Sequence, residues 1–124
     1  MRAWGVALAL LLLAGCRSEE MRLPSGVVAE RGEVLMEEQP GGEGWLILRV
    51  IAPALGSRAP SAADTGALCE SWGVEAAGAA AVAPDQIVVQ MMSEWVERGQ
   101  PAPGITQVFG GYRFQDGTCI WEDF

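Results

Sequence analysis

The sequence predicts an α+β domain of two layers, in which an antiparallel or mixed sheet of about four to five strands packs on one helix. Runs rich in β-branched and aromatic residues form two groups, each with a strong turn signal inside it. An alanine-rich stretch with helical spacing separates the groups. We see no internal repeat and no low-complexity linker, so residues 25–124 are predicted to form a single domain.

The first group predicts a hairpin. Strands are expected at Glu33–Glu38 and Trp45–Ile51, and the glycines of Pro40–Gly44 suit the turn between them. The second run is almost continuously apolar, as in a strand covered on both faces, and Arg49 is its single charge. Ser25–Ala29 is either a short first strand or an extended entry.

The stretch from Ala62 to about Ala80 is alanine-rich, and a helix is predicted within it. Leu68, Cys69 and Trp72 lie on one of its faces. Because a glycine costs about 1 kcal/mol relative to alanine inside a helix, we expect the helix to stop at Gly73 and a looser stretch to follow.

The second group predicts strands at Gln86–Met92, Ile105–Phe114 and Thr118–Glu122. Asp116-Gly117 is a hairpin turn signal between the last two. Gly110-Gly111 inside the middle strand predicts either a bulge or a close approach of another chain segment.

The amino-terminal residues predict export and lipid attachment. Met1-Arg2 is positive, Ala3–Leu13 is apolar but too short to span a bilayer, and Leu13-Ala14-Gly15-Cys16 resembles the lipobox of bacterial lipoproteins. Residues 1–15 are therefore predicted to be a signal peptide, and residues 16–24 a tether lipidated on Cys16. An ordinary secretory peptide with a chance cysteine is the alternative.

The lipobox implies a protein held at the cell envelope by its lipid and facing the periplasm. Under the enteric sorting rule, Arg17 directly after Cys16 slightly favours the outer membrane over the inner one.

Charge and composition exclude several classes of function. The 124-residue chain has a net charge of −8, which argues against nucleic-acid binding and against a polybasic hold on anionic lipid. It has no histidine, which excludes histidine-activated nucleophiles and imidazole metal sites. No phosphate-binding or dinucleotide motif is present, so we expect no cofactor and no metal.

The chain has three cysteines. If Cys16 carries lipid, the other two remain and can pair with each other. In an oxidising compartment, Cys69 and Cys119 are then expected to form a disulfide between helix and sheet. A redox pair is the alternative, but the close Cys-x-x-Cys spacing typical of such sites is absent.

The tryptophans divide into two kinds. Trp45, Trp72 and Trp121 lie in predicted regular elements and are expected in the core. Trp95 lies in a loop beside charged residues. It is either an exposed contact residue for a partner or a lid folded onto the sheet, and both interpretations stay open.

The carboxylates are interpreted mainly as a solvated acidic surface. They form three groups along the chain, which are Glu37, Glu38 and Glu43, then Glu94 and Glu97, and finally Glu122 and Asp123. No calcium-loop pattern is present. A hydrolase that uses Glu37 or Glu122 would need two carboxylates converging in one cleft, and is the least favoured hypothesis.

Several stretches together resemble a bacterial family of small exported proteins of unknown function, some of which carry the automatic label acetolactate synthase. The resemblance rests on Leu23–Gly26, Trp45–Pro53, Asp64–Cys69, Pro84–Val89, Thr106–Phe109 and above all Cys119-Ile120-Trp121-Glu122. It implies an α+β fold and a cysteine pair, and offers no active site to carry over. The enzyme label does not suit this chain, which is far too short for such a synthase and lacks the Gly-Asp-Gly cofactor motif.

These observations predict that the protein is a non-enzymatic lipoprotein of the cell envelope. It would present a small disulfide-pinned domain to a protein partner, through Trp95 or a sheet edge. The alternative is an acidic inhibitor or sequestering module for a basic envelope hydrolase.

Overall fold

The fold is seen in a computed structural model, which describes residues 19–58 and 61–122. The strands are β1 (Glu20–Arg22), β2 (Val28–Glu38), β3 (Gly44–Ile51), β4 (Gln86–Met92), β5 (Gln107–Gln115) and β6 (Thr118–Glu122). The helical elements are α1 (Ala62–Leu68), a π-helical turn (Cys69–Gly73) and α2 (Val74–Ala79), which run on without a break, and a 3₁₀ turn at Pro53–Gly56.

The six strands form one sheet in sequence order. All neighbours pair antiparallel except β3 and β4, which are parallel because the chain crosses over through the helix between them. The predicted α+β class is confirmed, with a mixed sheet. The predicted number of strands was too low, since the sheet has six.

The additional strand is β1, in a segment predicted as part of the tether. Glu20 pairs with Glu30 and Arg22 with Val28, while Leu23 is buried in the core. A three-residue strand has too little sequence for a periodic signal, and it exists because β2 offers it an edge. The prediction of a tether is therefore wrong for residues 20–23.

The core lies between the helix and one face of the sheet, called here the helix side. Leu46, Leu48 and Val50 of β3 project from the sheet toward Leu68 and Trp72. Alternate residues point to opposite faces, so the other residues of each strand form a second face, called here the outer face. β3 and β4 are buried on both faces, as the apolar run in β3 predicts.

The predicted core tryptophans differ in burial. Trp72 is buried, Trp45 is half-buried with its indole N–H donating to Glu43, and Trp121 is 63% exposed. The prediction for Trp121 is wrong because β6 is an edge strand, where a large side chain has a neighbouring strand on one side alone.

The predicted stop at Gly73 is also wrong, because the helix continues through it. A Cβ at this position would lie 3.2 Å from Cγ2 of Ile87, so glycine lets the helix approach β4 closely. The π-helical turn that ends there places both Cys69 and Trp72 in the core.

Gly110 confirms the close-approach interpretation of the glycine pair, and β5 pairs in unbroken register there, without a bulge. A Cβ on Gly110 would lie 2.6 Å from Oγ1 of Thr65, which hydrogen-bonds to the Tyr112 hydroxyl at 2.7 Å.

We expect Gly110→Ala to lower the free energy of unfolding by about 1–3 kcal/mol in urea denaturation. Gly78→Ala is the matched control, because its Cβ meets nothing within 4 Å and should stabilise α2 by up to about 1 kcal/mol. Equal stability of Gly110→Ala and the wild type would contradict the packing argument.

Asp64 joins the start of the helix to the turn before β2. Its carboxylate accepts hydrogen bonds from the backbone N–H and hydroxyl of Ser25 and from both groups of Ser61, at 2.6–3.3 Å. Burial by itself raises the pKa of Asp64, but the hydrogen bonds from Ser25 and Ser61 outweigh it and hold the pKa below 3.8.

The lowered pKa of Asp64 predicts a pH-dependent contribution to stability. The contribution should be complete above the unfolded-state pKa of about 4 and should disappear as the pH falls through the lower folded-state pKa. Asp64→Asn should therefore be less stable than the wild type at pH 7 by about 1–3 kcal/mol, with a smaller difference near pH 3. Thermal melts across this range measure it, and a difference independent of pH would refute it.

Candidate functional site

The candidate site lies on the outer face of the sheet, under the loop that joins β4 to β5. We call this loop, residues 93–106, the Trp95 loop. Val96 is 6% exposed and anchors the first part of the loop. Arg98 binds both carboxylate oxygens of Glu37 on β2, at 2.9 and 3.0 Å. The loop therefore crosses β4 and β3 and is fastened to β2.

The side chain of Arg49 on β3 lies under this loop and binds it. Its side chain is 1% exposed, and its guanidinium donates to Gln90 at 3.2 Å, to the carboxylate of Glu33 and to the backbone carbonyl of Val96. A buried guanidinium needs such partners, because an unsatisfied charge in the interior is strongly unfavourable. The single charge in the β3 run is thus the centre of a polar network.

Trp95 is stacked over this guanidinium. The Arg49 carbon lies 4.2 Å from the ring centroid, a cation–π arrangement, and the indole edge lies 3.8 Å from where a Cβ of Gly32 would be. Trp95 is nevertheless 49% exposed. One face of the ring therefore covers the sheet and the other faces solvent, while contact with a partner stays a prediction.

Gly32 makes room for this stack. The pairing of β2 with β3 shifts register between Arg31 and Val34, and a Cβ on Gly32 would lie 2.5 Å from the backbone oxygen of Arg49. A bulge of this kind redirects the strand and re-aims side chains. Here Glu33 follows the glycine and reaches Arg49.

Further apolar side chains lie on the outer face. Phe109 is paired with Gln90, which is paired with Arg49, so the three lie side by side on adjacent strands. Phe109 is 49% exposed and Ile120 on β6 is 48% exposed. We call Trp95, Phe109 and Ile120 the apolar outer surface. Ile120 lies at its far end, because it pairs with Arg113, four residues along β5 from Phe109. Arg49, Gln90 and Phe109 are not predicted as site residues from the sequence. The lone charge in an apolar strand is the signal that could have identified Arg49.

The ion pair of Glu37 and Arg98 is reflected in the pKa of each partner. Hydrogen bonding to Arg98 lowers the pKa of Glu37 despite an opposing effect of burial, and the charges of Arg98 and Arg49 lower it further. The same hydrogen bonding raises the pKa of Arg98. Both groups stay charged around neutral pH, so the loop remains fastened there.

Glu37 and Glu122, the two carboxylates considered for acid/base work, do not converge with each other. Glu37 on β2 and Glu122 on β6 are separated by four strand spacings, or roughly 19 Å. Glu122 accepts from Arg113 at 3.0 Å and from Gln86 at 3.1 Å, while Glu43 lies 3.8 Å from Arg113. Glu94 and Glu97 are exposed on the Trp95 loop. Within residues 19–58 and 61–122, no cluster of three metal-ligating side chains occurs.

The cysteines have separate positions. Cys69, fully buried in the π-helical turn, is joined to Cys119 on β6, 50 residues later, so the disulfide ties the helix to the edge of the sheet. Cys16 lies outside the described residues. In the described part of the chain, no helix is long and apolar enough to cross a membrane.

Comparison with known proteins gives one match. A family model described as "Family of unknown function (DUF6497)" matches residues 7–124. No curated protein and no solved structure matches the chain. Because the family model covers nearly the whole sequence, the chain belongs to this family of unknown function.

Proposed function

We propose that the protein is a non-enzymatic lipoprotein of the cell envelope, anchored through Cys16, that binds another protein with its apolar outer surface. One observation carries the choice of surface: Trp95 is half exposed although its ring is held 4.2 Å from a buried guanidinium. An aromatic side chain ordered in advance loses little conformational entropy on binding, which is typical of interface hot spots.

The surroundings of Trp95 support this proposal. Phe109 and Ile120 add apolar area on the same face, and their strands are stiffened by the sheet and by the disulfide on β6. Glu37 and Glu122 are too far apart to act together on one substrate bond. Protein recognition accounts for these features without requiring a reaction.

Capture experiments test the surface. Full chain, solubilised from envelopes in mild detergent, should retain a specific partner, and Trp95→Ala should weaken the binding about tenfold or more. Trp121→Ala is a matched control, because Trp121 is equally large, 63% exposed, and points to the helix side. Trp95→Phe should keep part of the affinity. A partner retained equally by Trp95→Ala, or no specific partner at all, would refute the proposal.

The anchor is tested separately. Mass spectrometry of the mature protein should find an amino-terminal Cys16 bearing diacylglycerol, and Cys16→Ser should release the protein from the membrane fraction. If Cys16→Ser were processed and fractionated like the wild type, this result would contradict lipidation at Cys16.

A second function, inhibition of a basic envelope hydrolase, has support in the exposed Glu94 and Glu97 on either side of Trp95 and in the net charge of −8. It predicts inhibition of a cationic lysozyme-like enzyme that weakens as salt increases. Absence of inhibition across several such enzymes would exclude it.

A further inference from the structure

We infer that the groove between β2 and α2 lies against the lipid bilayer, so that the domain has a fixed orientation on its membrane. This inference rests on the proposed lipid anchor at Cys16. We call the exposed side chains Val34, Met36 and Val82, together with this groove, the membrane-side surface.

The position of the anchor is the first argument. The carbonyl of Glu19 accepts a hydrogen bond from the Arg31 N–H at 2.9 Å, and its carboxylate pairs with the Arg31 guanidinium at 3.3 Å. Cys16 is three residues away, which spans at most about 11 Å of extended chain. A lipid on Cys16 would therefore keep the part of the domain around Arg31 close to the bilayer.

The direction of the chain is the second argument. Because β1 is antiparallel to β2, Glu19 lies opposite Arg31, the residue that follows Glu30. At Glu19 the chain is thus heading past Arg31 toward Val34 and Met36. In the described residues, no strand pairs with this outer edge of β2 beyond Arg31.

The chemistry of the surface is the third argument. The groove has a volume of about 340 Å³, and Val34, Met36, Ala76 and Ala79 are among its lining residues. Met36 also borders a neighbouring groove that includes Val82, and the carboxylates of Glu37, Glu38 and Asp85 line this second groove as well. Met36 is 50% exposed and Val82 is 76% exposed. Such side chains favour the boundary between headgroups and acyl chains, whereas an acidic domain has no electrostatic attraction to anionic lipid.

The remaining cation of this region is neutralised. Arg31 pairs with Glu75 at 3.1 Å as well as with Glu19, so it leaves no free positive charge to bind a headgroup. Contact with the bilayer would therefore be made by the side chains of Val34, Met36 and Val82. It would depend on the attached lipid to hold it, because the carboxylates around these side chains outnumber Arg31. Since the membrane-side surface is on the helix side, the apolar outer surface would point away from the bilayer, accessible to a partner.

Spin labelling of the full lipidated protein tests this orientation. Met36→Cys carries the label, and Gln115→Cys, exposed on the outer face of β5, is the matched control. The protein is placed in vesicles of phosphatidylethanolamine and phosphatidylglycerol. The reference is the same labelled protein in detergent-free buffer, after its lipid anchor has been removed by proteolysis. Compared with this reference, the label at position 36 should collide several-fold less often with a water-soluble nickel complex. It should collide more often with oxygen. The control label should change little.

The outcomes separate this inference from the proposed function. A protein shown by mass spectrometry to carry lipid, but whose label at position 36 stays as accessible to nickel as the label at position 115, would overturn the inference alone. A mature protein without lipid would overturn the anchor and the inference together. Protection of both labels would also overturn it, because it would mean that no single side faces the bilayer.

Discussion

Replacing Arg49 with methionine is expected to lower the free energy of unfolding by about 2–4 kcal/mol. Methionine has similar length but donates no hydrogen bond. Gln90 and the carbonyl of Val96, both in buried residues, would lose their donor, and an unsatisfied buried polar group costs about 1–3 kcal/mol. The exposed Glu33 can be hydrated again, so it contributes little to this loss.

The same substitution should loosen the Trp95 loop. Without the guanidinium, both the stack under the indole ring and the hydrogen bond to Val96 disappear. Amide hydrogen exchange in residues 93–106 should then accelerate by a larger factor than exchange in β3 and β4. If the proposed surface is correct, partner binding should fall even at temperatures where the variant is folded.

Arg113→Met is the control for Arg49→Met. Arg113 also lies on the outer face and pairs with Glu122, but its side chain is 42% exposed. An exposed ion pair is worth about 0–1 kcal/mol, so its loss should hardly change urea denaturation. Equal effects of the two substitutions would contradict the assignment of Arg49 as the centre of the network.

Removing the disulfide is the second large effect. Cys69→Ala with Cys119→Ala should lower the free energy of unfolding by about 4 kcal/mol, because the unfolded chain loses the constraint of a loop of 50 residues. The expected fall in the melting temperature is about 10–20 °C at this chain length. The helix and β6 are the elements that the bridge joins, so their amides should show the earliest loss of protection.

Reductant provides the matched comparison for the disulfide. Reduced wild type and the double alanine variant should denature at similar urea concentrations, and reductant should not affect the variant. Cys16→Ser should keep the stability of the domain, since it leaves the pair intact. Wild-type stability in the double variant would contradict the role of the disulfide.

Local chemistry accounts for what the sequence determined by itself. Asp116-Gly117, both with positive φ, form the predicted hairpin turn, and β4 has the predicted bounds Gln86–Met92. The helical face of Leu68, Cys69 and Trp72 is buried as expected. The α+β class also followed from these signals, because each depends on residues a few positions apart. The lipid on Cys16 remains a prediction from the same kind of local pattern.

Only the tertiary structure decided which features make a site. Arg49 meets Glu33, Gln90 and Val96 across separations of 16 to 47 residues, and β1 forms only because β2 presents an edge. The exposure of Trp121 and the half-exposure of Trp95 depend on what other segments cover them. Periodicity and turn chemistry act between neighbours in sequence, whereas burial, ion pairing and edge pairing are set by segments that meet after the chain has folded.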